Sequence, residues 1–188
     1  MDSVPQLFTD RLILRGWKPE DRGPFARMNR DPLVMEHFPS QLTEEQSDQL
    51  ADRIAAHLTQ HGFGLWAAEL GDQPGFIGYV GLAIPRFEAA FTPCVEIGWR
   101  LASTHWGRGL ATEGAQAVVR HAFQELRLPA LVSFTVPGNV RSRRVMEKLG
   151  MTYNPSDDFD HPQLPEGHPM RRHVLYRLTS PNAPNTAL

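Results

Sequence analysis

The hydrophobic and polar positions change their period several times along the chain, which predicts a mixture of strands and helices. Apolar and polar residues alternate over residues 11–17 and 94–101, as in half-buried strands. Two apolar runs at 63–70 and 75–84 flank a Gly- and Pro-containing turn, which predicts a hairpin. The short apolar run 130–136 shows almost no alternation and is typical of a strand covered on both faces.

Helical spacing of apolar residues predicts three long helices, over about 43–61, 107–127 and 139–150. Thr43 and Gln46 have the spacing of a capping box at the first of these helix starts. Gly23 and Pro24 interrupt an earlier helical pattern, so we expect short, bent pieces up to Arg30.

The order of these elements indicates an α/β fold with one mixed, mostly antiparallel sheet flanked by helices. The strand–helix–strand segment from 94 to 136 is expected to be a parallel crossover. We predict a single domain over residues 1–180, followed by a polar, proline-containing tail at 181–188 that is disordered.

Composition narrows the class of protein. The chain has 188 residues, of which 41% are hydrophobic and 21% charged, as in globular domains. A net charge of −2 gives no reason to expect a nucleic-acid or membrane-surface partner. A single cysteine, Cys94, excludes an internal disulfide, and no signal-peptide pattern or apolar run of about 20 residues is present. We therefore expect a cytoplasmic protein.

Gly107, Arg108 and Gly109 stand between a predicted strand and a predicted helix, where backbone amides attract anions. A P-loop would need a lysine, and none occurs in this segment. The dinucleotide fingerprint would need a third glycine where Thr112 stands. An anion-binding turn of another kind and a plain helix-start turn remain as alternatives.

The turn "WGRGLA" resembles the pyrophosphate turn of the GNAT acetyltransferase superfamily. Around it, the segments "TDRLILRGW", "EIGWRLASTHWGRGLATEGA", "NVRSRRVMEKLGM" and "HVLYRL" resemble the RimJ/RimL-like branch, named for ribosomal-protein N-terminal acetyltransferases. The resemblance covers about residues 9–179. It implies the GNAT fold, with the sheet splayed between strands 94–101 and 130–136. It also implies an N-acetyltransferase whose primary amine acceptor, a protein N-terminus or a small molecule, directly attacks acetyl-CoA in a ternary complex.

The same resemblance implies which residues bind acetyl-CoA. Trp106 departs from the Gln or Arg that begins the turn in many members, but backbone amides do most of the binding there. The implied cofactor-binding residues are Trp99, Leu101, Trp106, Gly107, Arg108, Gly109, Leu110, Ala111, Thr112, Asn139 and Ser142. From the residues alone, Asn139 is also a helix N-cap, and Ser142 is a small residue on a packed helix face.

Two residues are candidates for the chemistry. Glu96, Gly98 and Arg100 share one face of their strand, which from the residues alone is a solvated face with Glu96 as a surface charge. The resemblance implies instead that Glu96 is the base that deprotonates the amine, directly or through water. The resemblance implies that Ser142 assists the leaving thiolate. Met146 stands where many members have a tyrosine general acid. We expect no metal, because the spacing of the histidines and carboxylates in 157–173 matches no ligand pattern.

Two other functions remain as alternatives. One alternative is a non-catalytic module that binds or senses acyl-CoA, which agrees with Met146 in place of the tyrosine general acid. The chain could also bind another phosphorylated ligand such as a dinucleotide, against which Thr112 argues. The identity of the acceptor and the oligomeric state, a homodimer included, stay open.

Overall fold

The protein, seen in a computed structural model that describes residues 4–181, contains nine β-strands and four α-helices within that range. In chain order they are β1 (Leu7–Phe8), β2 (Leu12–Arg15), α1 (Arg22–Arg30), α2 (Glu44–His61), β3 (Leu65–Leu70), β4 (Phe76–Ala83), β5 (Glu96–Leu101), α3 (Leu110–Gln124), β6 (Ala130–Thr135), α4 (Val140–Lys148), β7 (Thr152–Tyr153), β8 (Phe159–Asp160) and β9 (Arg172–Thr179). Parallel and antiparallel pairs both occur, which confirms the predicted mixed sheet. The predicted tail lies outside the described residues, except for Pro181.

The described residues group into two compact units. The first holds the residues up to Leu82 together with Gly98–Val118, and the second holds Ala83–Ile97 and the residues from Val119 onward. Strand β5 and helix α3 each contribute residues to both units. The single domain expected over 1–180 stays a prediction. No helix among residues 4–181 has the length and apolar character needed to cross a membrane.

In the first unit, strands β1 to β4 form an antiparallel series in chain order. The end of β5 lies next to β4 in the sheet, and the Ala102 amide donates a hydrogen bond of 2.9 Å to the Ile77 carbonyl. Gly78 makes this approach possible, because a Cβ there would lie 2.2 Å from the Arg100 carbonyl oxygen. The predicted hairpin of β3 and β4 is confirmed.

Helices α1 and α2 supply much of the core of this unit. The buried core residues there are Phe25, Met28, Val34, Met35, Ala51, Ile54 and Tyr79. The capping box is confirmed, since Thr43 Oγ1 accepts from the Gln46 amide and Gln46 Oε1 accepts from the Thr43 amide. The expected short pieces up to Arg30 are present as a 3₁₀ helix at Pro19–Asp21 followed directly by α1, but the interruption expected at Gly23 and Pro24 is wrong. Helix α1 runs through Pro24, because a proline in the first turn lacks only an N–H that has no intrahelical partner.

In the second unit, β6 pairs antiparallel with β9 along its whole length, and β7 and β8 also pair with β9. Strand β5 pairs with β6 in parallel, which confirms the predicted crossover. The register is a single pair, Glu96 with Val132, in agreement with the predicted splay between these strands.

Helix α3 is shorter than the predicted 107–127. It begins at Leu110 because Gly109 has a left-handed backbone with φ of 78°. At its other end the helix stops at Gln124, and Arg127 adopts a φ of 55°. The glycine turn is therefore a separate structure ahead of the helix.

Candidate functional site

The glycine turn of the first unit consists of Gly107, Arg108 and Gly109, all of which are exposed. Gly107 and Gly109 both have left-handed backbones, with φ of 74° and 78°. A Cβ at Gly107 would meet no atom within 4 Å, so the backbone conformation rather than space requires glycine there. The turn leads directly into α3, whose first amides have no partner within the helix. An exposed series of backbone donors results, suited to an anion.

Arg11, just before β2, is far from this turn in sequence but contacts it in the structure. Its Nη1 donates a hydrogen bond of 2.9 Å to the Arg108 carbonyl, and its Nε donates one of 2.7 Å to Glu113 Oε2. Glu113, in the first turn of α3, also accepts from Thr9 Oγ1 at 2.6 Å. Burial opposes ionisation of Glu113, but the hydrogen bonds from Thr9 and Arg11 outweigh it and lower its pKa. The segment "TDRL" was part of the family resemblance, yet sequence reasoning gave its residues no role.

Trp106 and the end of β5 lie beside the turn in the chain. The Trp106 indole Nε1 donates a hydrogen bond of 2.8 Å to the Leu101 carbonyl. Leu101 is 4% exposed, and Trp99 is half-buried. Leu110 is buried, whereas Ala111 and Thr112 are half-buried at the start of α3. The structure therefore gives the Trp106 side chain a structural partner, and its role toward a cofactor stays a prediction.

Glu96 opens β5 in the second unit. Its side chain keeps partial exposure, yet protein surrounds the carboxyl closely enough that burial raises its pKa to about 8. Among residues 4–181, no hydrogen bond or ion pair to this carboxyl offsets the burial. A carboxyl with a pKa near neutral pH can accept and release a proton. The raised pKa favours the base over the solvated charge, and the role of Glu96 stays a prediction.

Cys94 lies two residues before Glu96. Burial and the nearby Glu96 charge raise the pKa of its thiol to about 11, although Arg177 acts in the opposite direction. The thiol is protonated at neutral pH, and a protonated thiol is a poor nucleophile. Cys94 is therefore no candidate for covalent chemistry.

Asn139 and Ser142 begin helix α4. Asn139 Oδ1 accepts a hydrogen bond of 3.2 Å from the Ser142 amide, which confirms the N-cap. Asn139 Nδ2 donates to Thr135 Oγ1 at 3.0 Å, so the side chain is fixed at both ends. Ser142 is half-buried, and its hydroxyl has no hydrogen-bond partner within the described part of the chain. Met146 is 1% exposed and has no proton to donate.

The segment 157–173 includes strand β8 and supplies three rings, Phe159, His161 and His173, to an aromatic cluster that was not predicted from the sequence. The rings of this cluster are Phe87, Phe91, Phe134, Phe159, His161 and His173. Burial lowers the pKa of both histidines, so both imidazoles are neutral at pH 7. Across the described range 4–181, no three His, Cys, Asp or Glu side chains form a group that could hold a metal ion.

Comparison with known proteins gives a consistent result. The family model described as "Acetyltransferase (GNAT) domain" matches residues 11–152. An uncharacterized Bacillus subtilis protein, YkkB, is 31% identical over 155 residues, which cover 82% of this chain and 89% of that protein. The FsC-acetyl coenzyme A-N(2)-transacetylase of Aspergillus fumigatus is 34% identical over 156 residues, covering 79% of this chain and 66% of the relative.

Solved structures agree on the fold. An acetyltransferase from Agrobacterium tumefaciens superimposes with a TM-score of 0.76 at 28% identity, covering 96% of this chain and 97% of that one. A RimL ribosomal L7/L12 alpha-N-protein acetyltransferase, solved in complex with coenzyme A, superimposes with a TM-score of 0.73 over 95% of this chain and 98% of that one. Its identity is 14%, so this likeness shows the fold alone, and the RimJ/RimL branch stays a prediction.

Proposed function

Because this chain belongs to the GNAT acetyltransferase family, we propose that it is an N-acetyltransferase that transfers the acetyl group of acetyl-CoA to a primary amine. Family membership assigns acetyl transfer in general. The relative from Aspergillus fumigatus, named for an acetyl coenzyme A transacetylase reaction at N(2), supports nitrogen as the acceptor atom. The four sequence segments support a place near the RimJ/RimL branch, and the single cysteine supports a cytoplasmic location.

The observation that carries this proposal is the exposed turn with two left-handed glycines ahead of α3. The backbone amides of residues 108–112 would hold the pyrophosphate of acetyl-CoA, with the Arg108 guanidinium and the Thr112 hydroxyl as further donors. The backbone at Trp99 and Leu101 would bind the pantetheine arm, and an amide there would polarise the thioester carbonyl. Asn139 and Ser142, the further residues that the family resemblance implies, would also contact acetyl-CoA. Acetyl-CoA supplies the thioester carbonyl that the acceptor attacks.

Glu96 would take the proton of the acceptor ammonium, directly or through water. Burial raises the pKa of Glu96 to about 8, close to the value of about 8 for an α-amine, so neither partner holds the proton strongly against the other. A lysine amine, with a pKa of about 10.4, would cost about 3 kcal/mol more. The pKa match therefore favours α-amines of small molecules or protein N-termini over lysine side chains.

Ser142 would donate a hydrogen bond to the leaving thiolate, since its hydroxyl has no partner in the described chain. Met146 cannot fill this role. Tyr176 is 2% exposed. Its hydroxyl accepts a hydrogen bond of 3.2 Å from Arg143 Nε and donates one of 3.3 Å to Glu147 Oε1, so its proton already has an acceptor. Ser142 is thus the candidate proton donor next to the Asn139 cap.

Acetyl-CoA turnover tests the proposal. Release of free thiol is measured with a panel of N-terminal peptides, amino acids, polyamines and aminoglycosides. Glu96→Gln is the informative variant, and Glu88→Gln, the same change at an exposed residue of the same unit, is its control. Turnover that Glu96→Gln reduces and Glu88→Gln leaves intact supports the proposal. Tight CoA binding without turnover on any acceptor would instead support the non-catalytic module.

A further inference from the structure

Arg100, on β5, is a half-buried cation whose side chain contacts a neutral amide and two aromatic rings. Its Nη1 donates a hydrogen bond of 2.6 Å to Asn29 Oδ1. Its guanidinium carbon lies 3.9 Å from the centre of the Phe38 ring and 5.3 Å from that of Tyr79. Stacking on aromatic faces holds a guanidinium plane in one orientation.

A second hydrogen bond fixes the partner of Arg100. Asn29, at 0% exposure near the end of α1, donates from Nδ2 to Ser47 Oγ at 2.8 Å. Ser47 is also 0% exposed and lies in the first turn of α2. Because this bond orients the Asn29 amide, its oxygen faces Arg100. The guanidinium is therefore held in place before any ligand arrives.

The guanidinium nevertheless lacks a counter-charge. Within residues 4–181, no Asp or Glu carboxylate forms an ion pair with Arg100. Its Nε is buried and has no hydrogen-bond partner in that range. Removing an arginine from water is unfavourable unless an anion or further acceptors compensate. Elsewhere in the same unit, Arg15 is 4% exposed and is compensated by Asp21 and Glu69.

We propose that Arg100 binds a carboxylate of the acceptor, so that the preferred acceptors are amines that carry a carboxylate, such as amino acids. Besides the N–H bonded to Asn29, the guanidinium has further N–H donors on Nη1 and Nη2, and their planar fork can bind both oxygens of a carboxylate. The inference rests on the proposed function. The exposed glycine turn is the place proposed for the CoA phosphates, and within residues 4–181 the Arg100 side chain makes no hydrogen bond or ion pair with that turn.

The experiment compares amino acids with their α-amides, for example methionine with methioninamide and leucine with leucinamide. Arg100→Gln removes the charge and retains a donor for Asn29. We expect kcat/KM for the acids to fall about 10- to 100-fold and kcat/KM for the amides to change less than about threefold, the range for loss of a hydrogen bond to a charged group. The acid and amide amines differ in basicity, but this difference cancels when the variant is compared with wild type.

Two further variants sharpen the result. Arg100→Lys keeps the charge without the fork, so we expect an intermediate loss for the acids only. Arg53→Gln makes the same chemical change at an exposed arginine of α2 and should alter neither series. Equal losses for acids and amides would assign Arg100 a structural role and overturn the inference. Weakened CoA binding in Arg100→Gln would mean that it binds a phosphate, which also overturns it.

Calorimetric titration of the acids and amides into the CoA-loaded protein separates this inference from the proposed function. Acid binding that Arg100→Gln abolishes supports the carboxylate site even without turnover, in which case the proposed function fails alone. Wild-type protein that turns over amides and shows no preference for acids overturns the carboxylate site and leaves the acetyltransferase function intact.

Discussion

Arg11 and Arg108 are joined by a hydrogen bond of 2.9 Å between the Nη1 of the first and the main-chain carbonyl of the second, although 97 positions separate them in sequence. This bond fixes the middle peptide of the glycine turn. The ion pair of Arg11 with Glu113 fixes the first turn of α3. One side chain therefore connects the segment before β2 with both parts of the proposed pyrophosphate site.

Arg11→Met should weaken CoA binding more than it weakens the fold. We expect the Kd for CoA to rise about fivefold or more, because a turn that is no longer fixed must be ordered on binding. The free energy of unfolding should fall by about 1 kcal/mol or less, since the Arg11 side chain is 46% exposed. Calorimetry and thermal unfolding measure the two quantities.

The control for this prediction is Arg22→Met. Arg22 forms comparably exposed ion pairs with Asp48 and Asp52 in the same unit. It should cause a similar small loss of stability and leave the Kd for CoA unchanged. If both variants weaken CoA binding equally, Arg11 has no specific role at the turn.

Gly107→Ala should cost about 1 kcal/mol in stability and also weaken CoA binding. A Cβ there meets no atom, so the penalty comes from the left-handed backbone alone. Gly167→Ala is a matched control, because Gly167 has a φ of 79° and equally open surroundings. It should lose the same stability without a change in the Kd for CoA. Unchanged CoA affinity in Gly107→Ala would remove the turn from the binding site.

Asn139→Asp separates the cap of α4 from the proposed contact with the pantetheine arm. The aspartate keeps an oxygen that accepts from the Ser142 amide, but it loses the Nδ2 donor to Thr135. We expect a Tm close to that of wild type and weaker CoA binding. Asn139→Ala should lose both the helix cap and the contact with CoA, with a stability cost of about 1 kcal/mol. Thr43→Ala, which removes the cap of α2, should lose only stability. CoA affinity that stays constant in Asn139→Asp would leave Asn139 as a cap alone.

Local signals in the sequence predicted the parts of the fold that depend on neighbouring residues. The Thr43–Gln46 capping box, the Asn139 cap and the turn at Gly107 each lie within four positions of what they act on. Side-chain chemistry and φ preferences determine such features with little help from the rest of the chain.

Long-range contacts could not be predicted in the same way. Nothing in the alternation of β2 shows that Arg15 is buried with Asp21 and Glu69, because an arginine on a strand is more often solvated. The contact of Arg100 with Asn29 spans 71 positions and depends on how α1 packs on the sheet. Strand alternation placed Glu96 on a face of β5 and the family resemblance made it the candidate base, but the burial that raises its pKa follows from tertiary structure.

Glu96 gives a pH dependence whose sign follows from its raised pKa. The carboxyl has an ordinary pKa of 4.5 and a folded pKa of about 8. Between these values the folded protein retains a proton that the unfolded chain has released. The stability linked to this group is therefore complete below about pH 4.5 and decreases as the pH rises through about 8. Glu96→Gln does not titrate, so its Tm relative to wild type should increase from pH 5 to 8 and then level off.

The activity should also depend on the ionisation of Glu96, but it should rise with pH where the stability falls. As a base Glu96 must be ionised, so kcat/KM of the wild type should rise with pH up to about 8, and Glu96→Gln should lose the part of this rise that does not come from the acceptor's own ionisation. Glu88→Gln should keep the wild-type profile of both Tm and activity. A Tm difference between Glu96→Gln and wild type that stays constant with pH would show that the carboxyl ionises normally. Water, rather than the Glu96 carboxylate, would then have to take the proton from the acceptor ammonium.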